Sequence, residues 1–265
     1  MAGKQRGIGS VEVGGQLLRV LAECDGPMML RDLASSAGMS AAKAHPYLVS
    51  FVRLGLVEQD KASGRYELGP LALQMGLASM RRLDPVRFAT EAIADLVPRI
   101  DKTVSLSVWG NHGPTVVRIE EGAGAVHVNM RVGSVMSLLG TATGRVFAAF
   151  LPPKMIQNFM ESGVGRASVG DEAVRQMSRK QIDAAVAEVR EKGLARAVER
   201  PIPGVNAFSA PVFDHSGSIA LVITAIGPSS MFDADWESPI AEELRKCAAT
   251  ISMRLGFSSK GSQAA

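Results

Sequence analysis

Apolar residues recur at helical spacing through most of the first third of the chain. This spacing predicts helices over Ser10–Glu23 and Leu30–Ala37, and a third helix that begins after Ser40. Alternating residues then predict two short strands, Leu56–Gln59 and Arg65–Leu68, around a polar turn. Two short helices joined by a tight turn are typical of a helix-turn-helix. The hairpin that follows them has the position of the wing in a winged helix-turn-helix.

The third helix contains a proline that its apolar pattern does not predict. Gly38 fits a left-handed helix end and Ser40 is a natural N-cap, but Pro46 lies farther along the same pattern. A proline inside a helix removes one backbone donor and costs roughly 3 kcal/mol. Two conformations are open: the first turn of the helix is bent, or the helix starts late and Ser40 to His45 form a looser loop. We favour the bend.

A further predicted helix connects the N-terminal domain to the rest of the chain. The segment Pro70–Met80 is predicted to be a helix that is apolar over much of its circumference. Such a surface needs a partner, for which the same helix of a second chain is one candidate. We therefore expect a winged helix-turn-helix domain over residues 10–69, a linker helix over 70–83 and a C-terminal domain over 84–258.

The C-terminal domain contains both helical and strand patterns. Helices are predicted over Phe88–Ile100, Thr141–Phe150, Ser178–Lys192 and Asp235–Leu255. Strands are predicted over Thr103–Trp109, Thr115–Glu120, Ala125–Arg131, Phe208–Phe213 and Ser218–Ile226. Hairpin turns between several of the strands indicate an α+β domain around a mostly antiparallel sheet.

Composition narrows the function classes. Apolar residues make up 46% of the chain, but no apolar run approaches the roughly 18 to 20 residues needed to cross a bilayer, so we expect no membrane partner. The two cysteines, Cys24 and Cys247, lie far apart, which excludes a disulfide framework and suits a reducing cytoplasm. The first 82 residues carry ten Lys or Arg against seven Asp or Glu, and the rest is balanced, which favours an anionic partner at the N-terminal end.

Motifs of known enzyme chemistry are missing from the sequence. The four histidines have no metal-ligand spacing with another His, Cys or carboxylate, and neither a nucleophile elbow nor a phosphate-binding loop occurs. We expect no cofactor and no catalysed reaction.

Four stretches of the sequence resemble one known family. They are LRDLASSAGMS, then LVSFVRLGLVEQD leading into GRYELGPLAL, then LLGTATGRVFAAFLP, then GVNAFSAPVFDHSGSIALVITAIGP. In this order and spacing they are similar to the IclR family of bacterial transcriptional regulators. The resemblance implies a winged helix-turn-helix joined by a linker helix to a GAF-like effector-binding domain. It also implies a homodimer, or a dimer of dimers, that binds double-stranded operator DNA.

The resemblance and the helix-end chemistry together suggest the DNA-binding residues. A helix that starts at Ser40 presents backbone donors and a positive dipole end to phosphate, and small residues behind it allow close approach to a groove. The candidate contacts to DNA are Arg31, Ser40, Ala41, Ala42, Lys43, His45, Tyr47, Arg53 and Arg65, with Lys61 on the wing. For each lone charge, a solvated surface residue is the alternative interpretation.

The chain departs from the family pattern at the centre of this helix. The usual Ser-Thr pair of the recognition helix falls on Ala42 and Lys43, and the usual arginine falls on Pro46. Besides the bend and the loose loop, Pro46 is open to a third interpretation, as an engineered or deleterious replacement that weakens DNA binding.

The resemblance places the effector at the GTATGR turn, facing the last two strands. Helix N-terminal donors near Thr141 suit a carboxylate. The candidate effector-binding residues are Met130, Leu139, Gly140, Thr141, Ala142, Thr143, Asn206, Ala207, Phe208 and Thr224. In the alternative interpretation, Thr141 only caps its helix and Asn206 only fixes a loop. Family members with small acid ligands carry an acidic residue where this chain has Ala197, which favours a larger or more aromatic ligand.

We therefore expect a cytoplasmic regulator, a repressor rather than an activator, that controls a catabolic operon and senses a small organic or aromatic acid. Two other classes stay open at this point. One is a metabolic enzyme built on the C-terminal domain, and the other is a sensory scaffold whose winged domain binds protein.

Overall fold

A computed structural model describes residues 7–122, 130–162 and 179–258 of the 265-residue chain. The chain divides into two compact units, Met1–Leu83 and Asp84–Ala265. The first unit contains the helices α1 (Gly9–Glu23), α2 (Leu30–Ser36), α3 (Ala41–Leu54) and α4 (Pro70–Met80), and the strands β1 (Val57–Gln59) and β2 (Tyr66–Leu68).

The first three helices enclose a small core. Leu17 of α1, Leu33 of α2 and Leu48 of α3 are fully buried and pack together, and Val57 and Tyr66 of the hairpin close the cluster. β1 and β2 pair antiparallel, with Val57 opposite Leu68. The predicted helix-turn-helix and wing are thereby confirmed.

Local capping determines where α3 begins. Gly38 has a φ of 68°, and the Met39 N–H donates to the Ala34 carbonyl at 2.9 Å, so α2 ends in a left-handed turn. The Ser40 hydroxyl accepts from the Lys43 N–H at 3.3 Å and caps the new helix. Because α3 runs from Ala41 through Pro46, the hypothesis of a loose loop before Pro46 is wrong.

The helix α4 has the predicted bounds, and none of its residues is buried. Its large apolar side chains Leu73, Met75, Leu77 and Met80 are between 45% and 65% exposed. A helix this apolar and this open covers no core of its own unit.

The second unit holds an antiparallel sheet between two helical layers. Its elements are α5 (Pro85–Ile100), β3 (Thr103–Gly110), β4 (Gly113–Glu120), α6 (Ala142–Phe150), α7 (Pro153–Ser162), α8 (Arg179–Lys192), β5 (Ala195–Val198), β6 (Val205–Phe213), β7 (Ile219–Pro228) and α9 (Pro239–Arg254). The strand order is β4-β3-β7-β6-β5, and every described pair is antiparallel. This confirms the α+β fold class.

The two faces of the sheet bury different residues because strand side chains alternate. On one face, Val146 and Phe147 of α6 pack with Val189 of α8 and with Ala207 and Val222 of the sheet. On the other face, α5 and α9 pack against each other. α9 also packs against β6 and β7, and α5 packs against β3, β4 and β7.

Several predicted boundaries of the second unit were wrong. The last helix begins at Pro239, not Asp235, because Ser238 caps it and its hydroxyl accepts from the Ala241 N–H at 3.3 Å. The helix α7 and the strand β5 were not predicted, and β6 begins three residues before Phe208. The predicted strand Ala125–Arg131 falls on residues outside the described part of the chain, except for its last two residues, which form no regular element.

The cysteines do not pair. Cys247 is buried in α9, and burial raises the pKa of its thiol to about 11, so the thiol stays protonated near neutral pH. Cys24 ends α1, and its thiol donates to the Gly26 carbonyl at 3.0 Å. Within residues 7–122, 130–162 and 179–258, no helix is long and apolar enough to cross a membrane.

Candidate nucleic-acid interface and ligand cavity

The helix α3 presents one exposed face and one buried face. Ala44 and Leu48 are fully buried, and Phe51 is half-buried on the same side. The exposed residues on the other side are Ala42, Lys43, His45, Pro46, Val49, Ser50, Arg53 and Leu54. At 3.6 residues per turn, Ala42, Pro46, Val49 and Arg53 lie in one row at the centre of this exposed face.

Pro46 interrupts the hydrogen bonding of α3 without ending the helix. Because proline has no N–H, the Ala42 carbonyl lacks the donor that a helix supplies four residues on. The Ser50 hydroxyl donates to the Pro46 carbonyl at 3.0 Å, a back-bond of the kind that often bends helices. Both effects fall on the exposed face.

The charged candidates surround this face. Lys43, His45 and Arg53 are exposed on α3, and Arg31 is exposed on α2. Arg65 is exposed at the start of β2, and its guanidinium donates to the Pro27 carbonyl at 3.1 Å. The turn of the wing is ordered by Asp60, whose carboxylate accepts from the Ala62 N–H at 2.9 Å and from the Ser63 hydroxyl at 2.6 Å.

Two candidates of this set are tied into the protein itself. The ring of Tyr47 is half-buried and lies over Gly14 of α1, where an added Cβ atom would come within 2.9 Å of it. Ala41 is half-buried against the same core. Ser40, the N-cap, is exposed, and the backbone donors of Ala41 and Ala42 open the helix behind it.

The second unit contains a cavity between α6 and the sheet. Its empty volume, open solvent at the mouth included, is about 440 Å³. The lining residues are Met130, Met136, Thr141, Ala142, Thr143, Ala197, Arg200, Pro201, Ile202, Val205, Ala207, Thr224 and Ile226. Arg200 is the one charged residue among them.

The start of α6 forms the polar wall of the cavity. The Thr141 hydroxyl accepts from the Gly144 N–H at 3.0 Å and donates to the Ser137 carbonyl at 2.8 Å, which fixes the helix end against the preceding loop. The first-turn N–H groups of a helix carry partial positive charge and suit an anion.

Three buried hydroxyls continue this wall into the sheet. The hydroxyl oxygens of Thr143 and Thr224 lie 2.9 Å apart, and that of Ser209 lies 2.8 Å from Thr224. Because each hydroxyl both donates and accepts, the group satisfies itself and still offers lone pairs to a ligand.

The half-buried Arg145 connects α6 to the neighbouring strand. The Arg145 guanidinium donates to the Arg196 carbonyl at 2.6 Å and to the Leu139 carbonyl at 3.4 Å. Burial lowers the pKa of Arg145 below its ordinary value, and the nearby Glu188 carboxylate offsets only part of this shift. Arg145 thus connects α6 to the strand that carries Ala197 into the cavity.

The cavity brings together six of the ten predicted effector residues. Met130, Thr141, Ala142, Thr143, Ala207 and Thr224 line it. Asn206 does not, because its amide donates to the Phe232 carbonyl at 3.1 Å and accepts from the Glu199 N–H at 3.1 Å. Phe208 packs on the rings of Phe232 and Trp236, whereas Leu139 and Gly140 lie in the buried loop before α6.

Sequence reasoning missed several lining residues. Arg200, Pro201 and Ile202 follow the unpredicted strand β5, so no element placed them near the cavity. Val205 and Ile226 could have been predicted from the strand pattern. Each lies two residues from a predicted effector residue on the same strand, and therefore on the same face of the sheet. The described residues contain no group of His, Cys, Asp or Glu that could hold a metal ion.

Two family models match the chain, one in each unit. The IclR helix-turn-helix domain matches residues 10–61, and the bacterial transcriptional regulator IclR C-terminal domain matches residues 77–253. Together they span most of the sequence.

Similar proteins cover the chain from end to end. The crystal structure of Pseudomonas aeruginosa HmgR is 38% identical with a TM-score of 0.84, and the match covers 95% of this chain and all of that one. The glycerol operon regulatory protein of Streptomyces griseus is 30% identical, over 95% of this chain and 98% of its own. The DNA-binding transcriptional repressor YiaJ of Escherichia coli K12 is 24% identical, over 96% and 91%. The exposed helix α3, the cavity behind α6 and these matches lead to one conclusion: the chain belongs to the IclR family of bacterial transcriptional regulators.

Proposed function

We propose that this protein is a repressor of a catabolic operon. A small organic or aromatic acid controls the affinity of the protein for operator DNA. The family consists of DNA-binding transcriptional regulators and not of enzymes, so the enzyme alternative is wrong. The repressor role is supported by the name of YiaJ, and the catabolic target by the glycerol operon regulator of S. griseus. Because its target is chromosomal operator DNA, we propose that it acts in the cytoplasm.

The observation that carries the ligand proposal is the chemistry of the cavity. Arg200 and the start of α6 supply positive charge, while Met136, Ile202 and Ile226 supply apolar wall. Within the described ranges, the Arg200 guanidinium makes no ion pair. A ligand with one anionic group on an apolar body matches this distribution of charge and apolar surface in the cavity. Ala197 lines the cavity and brings no competing acid.

The DNA-binding part of the proposal uses the exposed face of α3. A helix of this kind fits the major groove, and a dimer places two such helices about 34 Å apart on one side of the duplex. The exposed apolar surface of α4 supports a homodimer, because isolated monomers rarely leave so many large apolar side chains open. Lys43 and Arg53 on α3, with Arg65 on the wing, are then the proposed contacts to DNA.

Ligand binding is tested by thermal unfolding against a panel of aromatic and short-chain acids. A ligand that binds only the folded state raises the melting temperature, and one present at a hundred times its Kd adds about 2.7 kcal/mol. We expect a monocarboxylate with an apolar body to give the largest rise, and the same acid to weaken operator binding.

The variant Arg200→Gln should reduce affinity for that acid roughly tenfold, because it removes a charge-assisted hydrogen bond at a solvent-exposed position. Lys154→Gln, which removes an exposed cation of α7, is the matched control and should leave the affinity unchanged. Equal affinity of Arg200→Gln and the unmodified protein for the acid would contradict the assignment.

A further inference from the structure

The exposed row on α3 is unusually apolar for a helix that faces DNA. Its centre is formed by Ala42, Pro46 and Val49, and Val49 is 36% exposed. Lys43 and Ser50 flank the row on one side, His45 on the other, and Arg53 closes it. Lys43 and His45 therefore flank the row and Arg53 occupies its last position, while the side chains of the first three positions carry no hydrogen-bond donor.

The major groove offers such a row one chemical partner. Among the groups that base pairs present there, the C5-methyl of thymine is the apolar one, and the others are hydrogen-bond donors or acceptors. An apolar side chain pressed against a G·C edge would remove water from polar atoms without replacing their hydrogen bonds, which is unfavourable. The row thus favours thymine and disfavours G·C pairs at the positions it faces.

The dimensions of the row match this partner. Ala42 and Val49 are seven residues apart, which is about 10 Å along the helix axis. Base pairs are stacked about 3.4 Å apart, so a row of this length spans at most about three base-pair steps.

We propose that Ala42, Pro46 and Val49 form an apolar reading row that selects operator half-sites through contacts with thymine methyl groups in the major groove. The inference rests on the proposed operator binding and adds the base class that the helix selects. In this arrangement Lys43 and Arg53 hold the backbone, and the row supplies discrimination between bases.

The test replaces thymine by uracil in the operator. The operator is first selected by the full-length protein from random-sequence duplex DNA, and each thymine of a half-site is then changed singly to deoxyuridine. This change removes one methyl group and leaves base pairing and phosphates intact. We expect a loss of about fourfold in affinity at two or three adjacent positions, as for the exposure of one methyl-sized group, with an unchanged salt dependence.

The variant Val49→Ala locates the contact. It should weaken binding to the thymine operator and remove the difference between thymine and deoxyuridine at one position, because the two changes delete the same contact. Val11→Ala is the control, since Val11 is an exposed valine of α1 and shares the gain in helix propensity. It should leave both affinities unchanged.

Three results would overturn the inference. Equal affinity for the thymine and deoxyuridine operators, or a selected half-site without adjacent A·T pairs, would do so and leave operator binding intact. A change in oligomeric state with Val49→Ala, with no effect on DNA affinity, would assign the row to a protein contact instead. Failure to select any operator would overturn the proposed function together with the inference.

Discussion

Replacing Gly144 by alanine should unfold the start of α6 and abolish ligand binding. A Cβ atom at this position would overlap the carbonyl oxygens of Ser137 and Leu138 and come within 2.6 Å of the Leu138 carbonyl carbon. These are backbone atoms, so no side-chain rotation relieves the overlap. We expect a destabilisation of about 3 kcal/mol or more, which corresponds to a fall in melting temperature of at least about 6 °C.

Thermal unfolding of the full-length protein measures this effect, and Gly15→Ala is the matched control. Gly15 lies on α1, and a Cβ atom there would meet nothing within 4 Å. The control should raise stability by about 0.5 to 1 kcal/mol, because alanine is the better helix former. A melting temperature for Gly144→Ala equal to that of the unmodified protein would show that the loop before α6 yields easily and that the cavity is not a rigid site.

Replacing Pro46 by arginine should tighten DNA binding and stabilise α3. The change restores an N–H for the Ala42 carbonyl, with a gain of up to about 3 kcal/mol in helix stability. It also places a cation at the centre of the exposed face. One added phosphate contact should raise affinity roughly five- to tenfold at 0.1 M salt and steepen the salt dependence by about one unit. Because Pro46 belongs to the apolar row, the change also loses roughly fourfold for one methyl contact, so the expected net rise in affinity is about 1.3- to 2.5-fold.

A gel-shift titration at fixed salt measures the affinity, and circular dichroism follows the helix. Val11→Arg is the control, because it adds the same charge at an exposed position of α1. An unchanged affinity of Pro46→Arg would count against the assignment of this face to DNA. An equal rise with Val11→Arg would show that the effect is only one of net charge.

The first unit could be predicted closely from the sequence because its boundaries are set by local chemistry. Gly38 ends one helix, Ser40 caps the next, and Pro70 opens α4 as its first residue. Pro46 is the exception. Its sequence context left a bend and a loose loop open, and capping by Ser40 decides for a continuous helix.

Prolines account for the errors in the helices of the second unit. Pro153 lies three residues after the end of α6 and is the first residue of α7, a helix that was not predicted. Pro239 has the same role in α9. Proline is favourable in the first turn of a helix and unfavourable in its interior. The sequence alone therefore does not show whether a given proline starts a helix or ends one.

The cavity was predicted in part because it combines local and long-range features. The capping role of Thr141 is visible in the sequence, whereas the place of Thr143 beside Thr224 follows from the packing of α6 against the sheet. Asn206 and Phe208 were assigned to the same wall as Ala207, although neighbouring residues of a strand face opposite sides. Arg200 became visible only when β5 brought the following loop to the cavity.

Recognition of a particular DNA sequence by α3 is tested by a salt-dependent binding titration. The full-length protein is titrated with the intergenic DNA beside its own gene and with scrambled DNA of equal length, at several salt concentrations. We predict a preference of about a thousandfold or more for the intergenic DNA, and an affinity that falls steeply as salt rises. Equal affinity for the two DNAs, or binding that salt does not weaken, would contradict the account.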